Sequence, residues 1–371
     1  LRKGANQVRV VYTHPYARDG KGLHRFVDPE DQKVYLYSQF ETFDANRFMP
    51  CFDQPDLKAK FRLRVLAPHG WQVVSAAKAE AKSVQREIKE VGTSAGDVET
   101  WQFAETDPLS PYVFSLHAGP YEVFEDRYVR KDLSEISLRI LVRSSQKKFA
   151  LSQDMFLFTQ QGLEFFESYF ARRYPFSKLD QLIVPEFNAG GMENAGAITY
   201  SEWTLERGTP TRNSRRGVAM VVLHELAHMW FGDLVTMKWW NDIWLNESFA
   251  TFMSTLALAE ATEFKEVWQN FASQTKAYAY QQDMKVTTHP IESDIRSVRE
   301  AEVSFDGITY NKGAAVLQQL RFYIGDEAFK KGSQIYFQDF AFQNATLNDF
   351  LASLQKSQRE TQALAQTETK A

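Results

Sequence analysis

The sequence has one cysteine, Cys51, in 371 residues, so it forms no internal disulfide. That fits a reducing compartment, and the expectation is a cytoplasmic protein. No apolar run is long enough to span a membrane, so no transmembrane segment is expected. No secretory leader stands at Leu1, where LRKGANQVRVVY reads as sequence from the middle of a domain. A preponderance of one charge is also missing. Lys and Arg number 43 against 47 Asp and Glu, a net charge of −4, which gives nucleic acid no electrostatic footing. No internal repeat is present.

Aromatic residues, by contrast, are plentiful: 29 Phe, 15 Tyr and 8 Trp. They favour large cores, and the length suffices for two or three domains. The first part alternates with period two. Val8, Val10 and Tyr12 do so, as do Phe61, Leu63 and Val65, and Ile136, Leu138 and Ile140. Trp71 to Val74 and Tyr112 to Leu116 are further short strands, and polar residues 80–100 read as a mobile hairpin or loop. From about Ser145 the period becomes helical, through Phe149, Met155, Phe156, Leu163, Phe166 and Phe170. Short strands are expected at 181–184 and 197–200. Helices follow over 248–282, 311–324, 326–340 and 346–356, with a frayed helix or disordered tail to the end. The expected class is α+β. A β-rich unit, residues 1–144, precedes a mainly helical unit with a small sheet, residues 145–371.

One stretch carries the chemistry. Val218 to Leu223 lead into His224-Glu225-Leu226-Ala227-His228. On a helix, positions four apart share a face, so two neutral imidazoles can hold one zinc ion. Glu225 lies one step around, poorly placed as an equivalent ligand but within reach of a metal-bound water. The third ligand should come from a second helix, capped by Asn241 or Asp242. Glu247 sits in its second turn among Trp244, Leu245 and Phe249, where burying a carboxylate is costly unless it is paired or on a metal. Two His and one Glu leave the fourth zinc position open. Asp242 is also a candidate to orient one of the imidazoles. The other histidines, His14, His24, His69, His117 and His289, lack ligand spacing, although His289 can line a cleft.

H-E-L-A-H-x18-E, with W-F-G-D-L-V-T after the second His and W-L-N-E-S-F-A around the last ligand, resembles the gluzincin aminopeptidases of the aminopeptidase N type. Gly190-Gly191-Met192-Glu193-Asn194 is similar to that family's G-x-M-E-N exopeptidase motif. The resemblance implies an N-terminal saddle domain lacking its first strands, then a thermolysin-like catalytic domain. The family's β-sandwich and helical C-terminal domains are expected to be absent, making this a fragment or truncated member. It further implies one Zn2+ per chain on His224, His228 and Glu247, with Glu225 as general base.

Tyr310-Asn311-Lys312-Gly313, 63 residues after Glu247, matches the family's oxyanion-stabilising tyrosine setting. Glu193 is implied as the anchor for a free amine, on a Gly-rich segment (Gly190, Gly191) flanked by Met192 and Asn194. Gln39-Phe40-Glu41 resembles the Gln-x-Glu that contributes to the same subsite. Gly191 departs from the alanine commonest in the family; glycine also occurs there in the related leukotriene epoxide hydrolase. The expected substrates are peptides with a free N-terminal amine. The competing readings are an epoxide hydrolase on the same zinc site and a non-catalytic or weakly active interaction module.

Overall fold

The computed structural model describes residues 3–85 and 97–368. The first half of the chain is built from β1 (Gly22–Val27), β2 (Val34–Gln39), β3 (Arg64–Pro68), β4 (Gln72–Ser75), β5 (Ala79–Gln85), β6 (Val98–Phe103), β7 (Leu116–Gly119), β8 (Glu122–Val129) and β9 (Glu135–Val142). They form a four-stranded sheet ordered β1-β2-β7-β4 and a three-stranded sheet ordered β3-β6-β5, both antiparallel. In β9 the expected alternation holds: Ile136, Leu138 and Ile140 are buried.

Helix α1 (Ser152–Phe170) then carries the chain to β10 (Lys178–Val184), which lies parallel to β9 with Lys178 opposite Ser137 and Ile183 opposite Val142. A parallel pair needs a crossover, and α1 supplies it. β11 (Gly191–Met192) and β12 (Ala197–Ser201) complete a mixed sheet ordered β11-β12-β10-β9-β8. Every residue of β10 is buried, including Lys178 and Asp180. Their charges are compensated, because Asp180 accepts from Lys178 Nζ and from Arg139 Nε, each at 2.7 Å. β8 and β9 thus share one sheet with strands beyond residue 144.

The rest is helical: α2 (Arg212–His228), α3 (Trp244–Ala261), α4 (Val267–Asn270), α5 (Lys276–Asp283), α6 (Val298–Glu302), α7 (Gly313–Ile324), α8 (Asp326–Phe340) and α9 (Leu347–Glu368). A short parallel pair, β13 (Thr236–Met237) and β14 (Asn344–Ala345), ties the segment after α2 to the segment before α9. The architecture is α+β. The main core packs α2 through aliphatic side chains against α1, α3, α8 and α9, which bring aromatics. Phe231 stacks on Phe249 with ring centroids 4.1 Å apart, and Phe170 meets Phe337 edge-on at 4.8 Å. A second core joins the β-rich part to the segments around the motifs, through Phe40, Tyr112, Phe114, Met192, Met237 and Trp240.

Several elements differ from the reading of the sequence. Val8, Val10 and Tyr12 belong to no strand; all three are exposed, with no ladder to pair them among the described residues. Alternation without a partner strand does not make a sheet. Residues 111–113 form a 3-10 turn opened by Pro111, so β7 begins only at Leu116. In the polar stretch the expected hairpin has its two arms, 79–85 and 98–103, paired antiparallel as β5 and β6, while 86–96 lie outside the described residues. The helix expected over 248–282 breaks at Thr262, whose hydroxyl donates to Leu258 O at 2.6 Å and accepts from Phe264 N at 3.1 Å. Such local bonding competes with the helical ladder. The tail is helical to Glu368, and 369–371 lie outside the described residues.

Candidate active site

Helix α2 begins with a reciprocal cap. The Thr211 side chain accepts from Ser214 N, and Ser214 Oγ accepts from Thr211 N. Val218, Ala219, Val222, Leu223 and Leu226 bury one side of α2 in the main core. Their burial fixes the helix's rotation, and with it the direction of His224 and His228. The helix ends at His228, and the chain turns at Gly232, whose φ is +131°. In this turn Phe231 O lies 3.0 Å from His228 Nδ1. A carbonyl only accepts, so Nδ1 carries a proton and Nε2 is the ring atom turned to the site. Asp242 does not orient either imidazole. It sits in the 3-10 turn Trp240–Asp242, where burial and the nearby Glu292 push its carboxyl up to about 6. Nor does it cap α3, whose first turn follows Ile243 without a side-chain cap.

α3 delivers Glu247, which is 3% exposed. Glu247 Oε2 lies 3.3 Å from His224 Nε2 and 3.4 Å from His228 Nε2, and the two nitrogens are 3.2 Å apart. A tetrahedral zinc ion with bonds of about 2.0–2.1 Å spaces its donors about 3.3–3.4 Å apart. The triangle therefore has the edges of a zinc site, and the donor chemistry is that of two imidazoles and a carboxylate. Beside Glu247, Asn246 Nδ2 donates to Tyr112 OH at 2.9 Å, so these two adjacent polar residues split between the metal set and a structural bond.

The triangle opens into a cavity of about 560 Å³. His224, Glu225, His228, Glu247 and Tyr310 line it together with Gly190, Gly191, Glu193 and Glu41. Gln39, Met192 and Asn194 do not line it. Gln39 Nε2 contacts Met192 Sδ at 3.4 Å, and Asn194 Oδ1 accepts from Thr199 Oγ1 at 2.8 Å, so these three support the wall from behind. β11, which carries Gly191 and Met192, is the edge strand of its sheet. Glu225 rests against it. A Cβ on Gly191 would lie 2.2 Å from Glu225 Oε1 and 2.8 Å from its Cγ, so the glycine leaves the room that the carboxylate uses.

The cavity is acidic. Glu193 is 2% exposed, and its Oε1 has no hydrogen-bond partner. Burial, reinforced by Glu247 and opposed by His228, pushes its carboxyl up to about 7. Burial likewise pushes Glu225 well above the carboxylate range, with Glu193 and Glu247 adding repulsion against the pull of His228. Glu41 is raised by burial and then by Glu193. Donor atoms of Glu41, Glu193 and Glu247 lie within 4.8 Å of one another, as do those of Glu193, Glu225 and His228. Such a cluster suits a cationic group. Tyr310 lies over His224 with ring centroids 6.0 Å apart and planes 21° from parallel. Burial and the surrounding carboxylates raise its phenol, which stays a hydrogen-bond donor at neutral pH.

Some residues of the cavity carry no motif. Lys21 and Glu302 meet at its rim at 2.6 Å across 281 residues of sequence, and Phe305 stands nearby. Only the fold brings them together. The remaining histidines are engaged elsewhere. His24 meets Glu186, His69 meets Glu99, His117 meets Thr199, and His14 meets the Pro15 carbonyl. His289 pairs with Asp306 and does not line the cavity.

Two histidines one helical turn apart, a glutamate from a second helix and a carboxylate beside them define the metallopeptidase class of site. Residues 156–367 match the Peptidase family M1 domain and residues 1–113 the Peptidase M1 N-terminal domain. The chain belongs to peptidase family M1, a family of zinc metallopeptidases. It is similar to Aminopeptidase N of Streptomyces lividans, 46% identical over 359 residues, which cover 96% of this chain and 40% of that protein. Leucyl aminopeptidase of Saccharolobus solfataricus is 37% identical over 320 residues, 86% of this chain and 39% of that protein. Aminopeptidase M1-C of Oryza sativa subsp. japonica is 35% identical over 354 residues, 95% of this chain and 37% of that protein. The chain therefore spans well under half the length of these relatives. Among the described residues, no helix is long and apolar enough to cross a membrane.

Proposed function

We propose that this chain holds the catalytic centre of a zinc aminopeptidase that releases N-terminal residues from peptides with a free amine. The observation that carries the reading is the triangle of His224 Nε2, His228 Nε2 and Glu247 Oε2 opening into a cavity lined also by Glu193, whose Oε1 has no hydrogen-bond partner. When bound, zinc supplies a water acidified to a pKa near 7. Glu225 accepts the proton of the attacking water and returns it to the leaving amine. Tyr310 donates to the oxygen that becomes negative. Glu193, with Glu41 beside it, holds the substrate ammonium. The edge of β11 offers free backbone groups along which the peptide aligns.

Division into a β-rich unit and a zinc-binding unit belongs to this proposal, with the boundary before β8 and not at residue 144, because β8 and β9 pair into the sheet of β10 to β12. A cytoplasmic setting, which rests on the lone Cys51, belongs to it too. A complete ligand set with base and phenol in one cavity argues against a purely non-catalytic module. The direct test is chromophore release from aminoacyl anilides with and without a chelator. The reading requires release that the chelator stops and added zinc restores.

Metal content tests the ligand set by itself. The wild-type chain is expected to bind one zinc, and His224→Ala and Glu247→Ala are each expected to lose it. Stoichiometric zinc in both variants, measured on purified protein, overturns the assignment. Tyr310→Phe removes one hydroxyl and nothing else. Loss of a single oxyanion donor typically costs about 10²–10³-fold in kcat, and KM should hardly change. An unaltered kcat makes Tyr310 a packing residue.

A further inference from the structure

The segment that presents Tyr310 is not an ordinary helical turn. Residues Ile308–Lys312 form a π-type turn, in which Lys312 N donates to Gly307 O at 3.0 Å, before α7 begins at Gly313. Wide turns of this kind are uncommon and recur at functional sites. The peptide unit joining Thr309 to Tyr310 is held at both ends. Its N–H, that of Tyr310, donates to Asp306 O at 3.0 Å. Its carbonyl, that of Thr309, accepts from Ser248 Oγ at 2.5 Å. Ser248 is fully buried and follows the ligand Glu247 directly. Successive helical side chains diverge by about 100°, so α3 gives Glu247 to the metal set and Ser248 to the turn that carries the phenol.

Gly313 makes this contact sterically possible. A Cβ there would lie 1.9 Å from Ser248 Oγ and 2.7 Å from Ser248 Cβ, while its next neighbour, Ile291 Cγ2, would be 3.6 Å away. The glycine closing the Tyr310 motif and the serine after the ligand glutamate are thus two halves of one contact, 65 positions apart in the sequence (313 − 248). On the far side, Lys312 Nζ pairs with Asp283 Oδ1 at 2.7 Å and holds the turn against α5.

We propose that Ser248 and Gly313 are positioning residues that lock the Tyr310 turn to the metal-ligand helix, so that the phenol keeps a fixed place relative to His224 and Glu247. This rests on the reading of Tyr310 as oxyanion donor. A hydroxyl aimed at a developing charge is effective only within a narrow range of positions, and a shift of about 1 Å can cost 10²-fold. Ser248→Ala removes the bond without adding bulk. Gly313→Ala keeps the serine but forces the two backbones apart.

The experiment measures kcat, KM and zinc content with an aminoacyl anilide. Ser248→Ala is expected to keep one zinc and its KM while kcat falls by roughly 10–10²-fold. Gly313→Ala should lose more, and adding Ser248→Gly to it should recover kcat to about the level of Ser248→Ala, because the new Cβ then has room. In a Tyr310→Phe background, Ser248→Ala should cost nothing further, since the hydroxyl it positions is already gone. An equal loss in that background overturns the proposal, and so does loss of zinc in Ser248→Ala. A silent Tyr310→Phe instead overturns the reading of Tyr310 itself, so the two failures are distinct.

Discussion

Glu225→Gln is expected to leave zinc bound and to lower kcat by about 10²–10⁴-fold. The side chain stands outside the triangle of His224, His228 and Glu247, so its loss removes no metal ligand. It lies one residue past His224 on α2 and leans across the cavity against Gly191, where only the missing Cβ leaves it space. Glutamine has the same size and fits the same gap, which makes the substitution a test of the proton and not of packing. Burial, with Glu193 and Glu247 adding repulsion, pushes the Glu225 carboxyl well up, a setting in which a carboxylate takes up a proton readily and can hand it on. Metal analysis and turnover of the same preparation decide the matter. A variant with full zinc and near wild-type kcat excludes the role.

What could be read from the sequence follows from how local each feature is. His224, Glu225 and His228 share one helix, and their spacing alone fixes a common face. Glu247 was legible because a carboxylate in an apolar run needs a partner, and the structure places it 3.3 Å from His224. The parallel pairing of β9 with β10 was not legible. Period-two alternation reports that a strand is half-buried but not which strand it joins, so β8 and β9 read as part of the β-rich unit. Val8, Val10 and Tyr12 show the same limit from the other side, since their alternation is real and they join no sheet. Asp242 was a plausible partner for an imidazole by proximity in sequence, yet the Phe231 carbonyl takes that place. Backbone acceptors have no signature in a sequence. The contact between Ser248 and Gly313, and the rim pair Lys21–Glu302, are likewise products of folding, with nothing local to announce them.

Glu193→Ala separates an aminopeptidase from any other hydrolase built on the same zinc site. The metal set can serve an amide wherever one is presented. Restriction to the chain end needs an anchor at a fixed short distance that prefers an ammonium to a peptide N–H. Glu193 follows edge strand β11 directly, is buried with its Oε1 unpaired, and lines a cavity that Glu41, Glu225 and Glu247 also make acidic. A buried carboxylate without a partner is costly, and an incoming ammonium relieves that cost while an acetylated amine does not. Burial pushes the Glu193 carboxyl up to about 7, and a bound cation pulls it back to the charged form. The wild-type chain should therefore cleave a free-amine peptide and barely touch its N-acetylated counterpart. Truncating one partner of such a buried charge pair typically costs a few kcal/mol, roughly 10²–10³-fold in kcat/KM. Glu193→Ala should lose that much on the free-amine peptide and little on the acetylated one, with zinc content unchanged. The measurement is kcat/KM for the matched pair of peptides on both proteins. Equal cleavage of the two peptides by the wild type, or an equal loss on both in the variant, removes Glu193 as the amine anchor, and the exopeptidase reading goes with it.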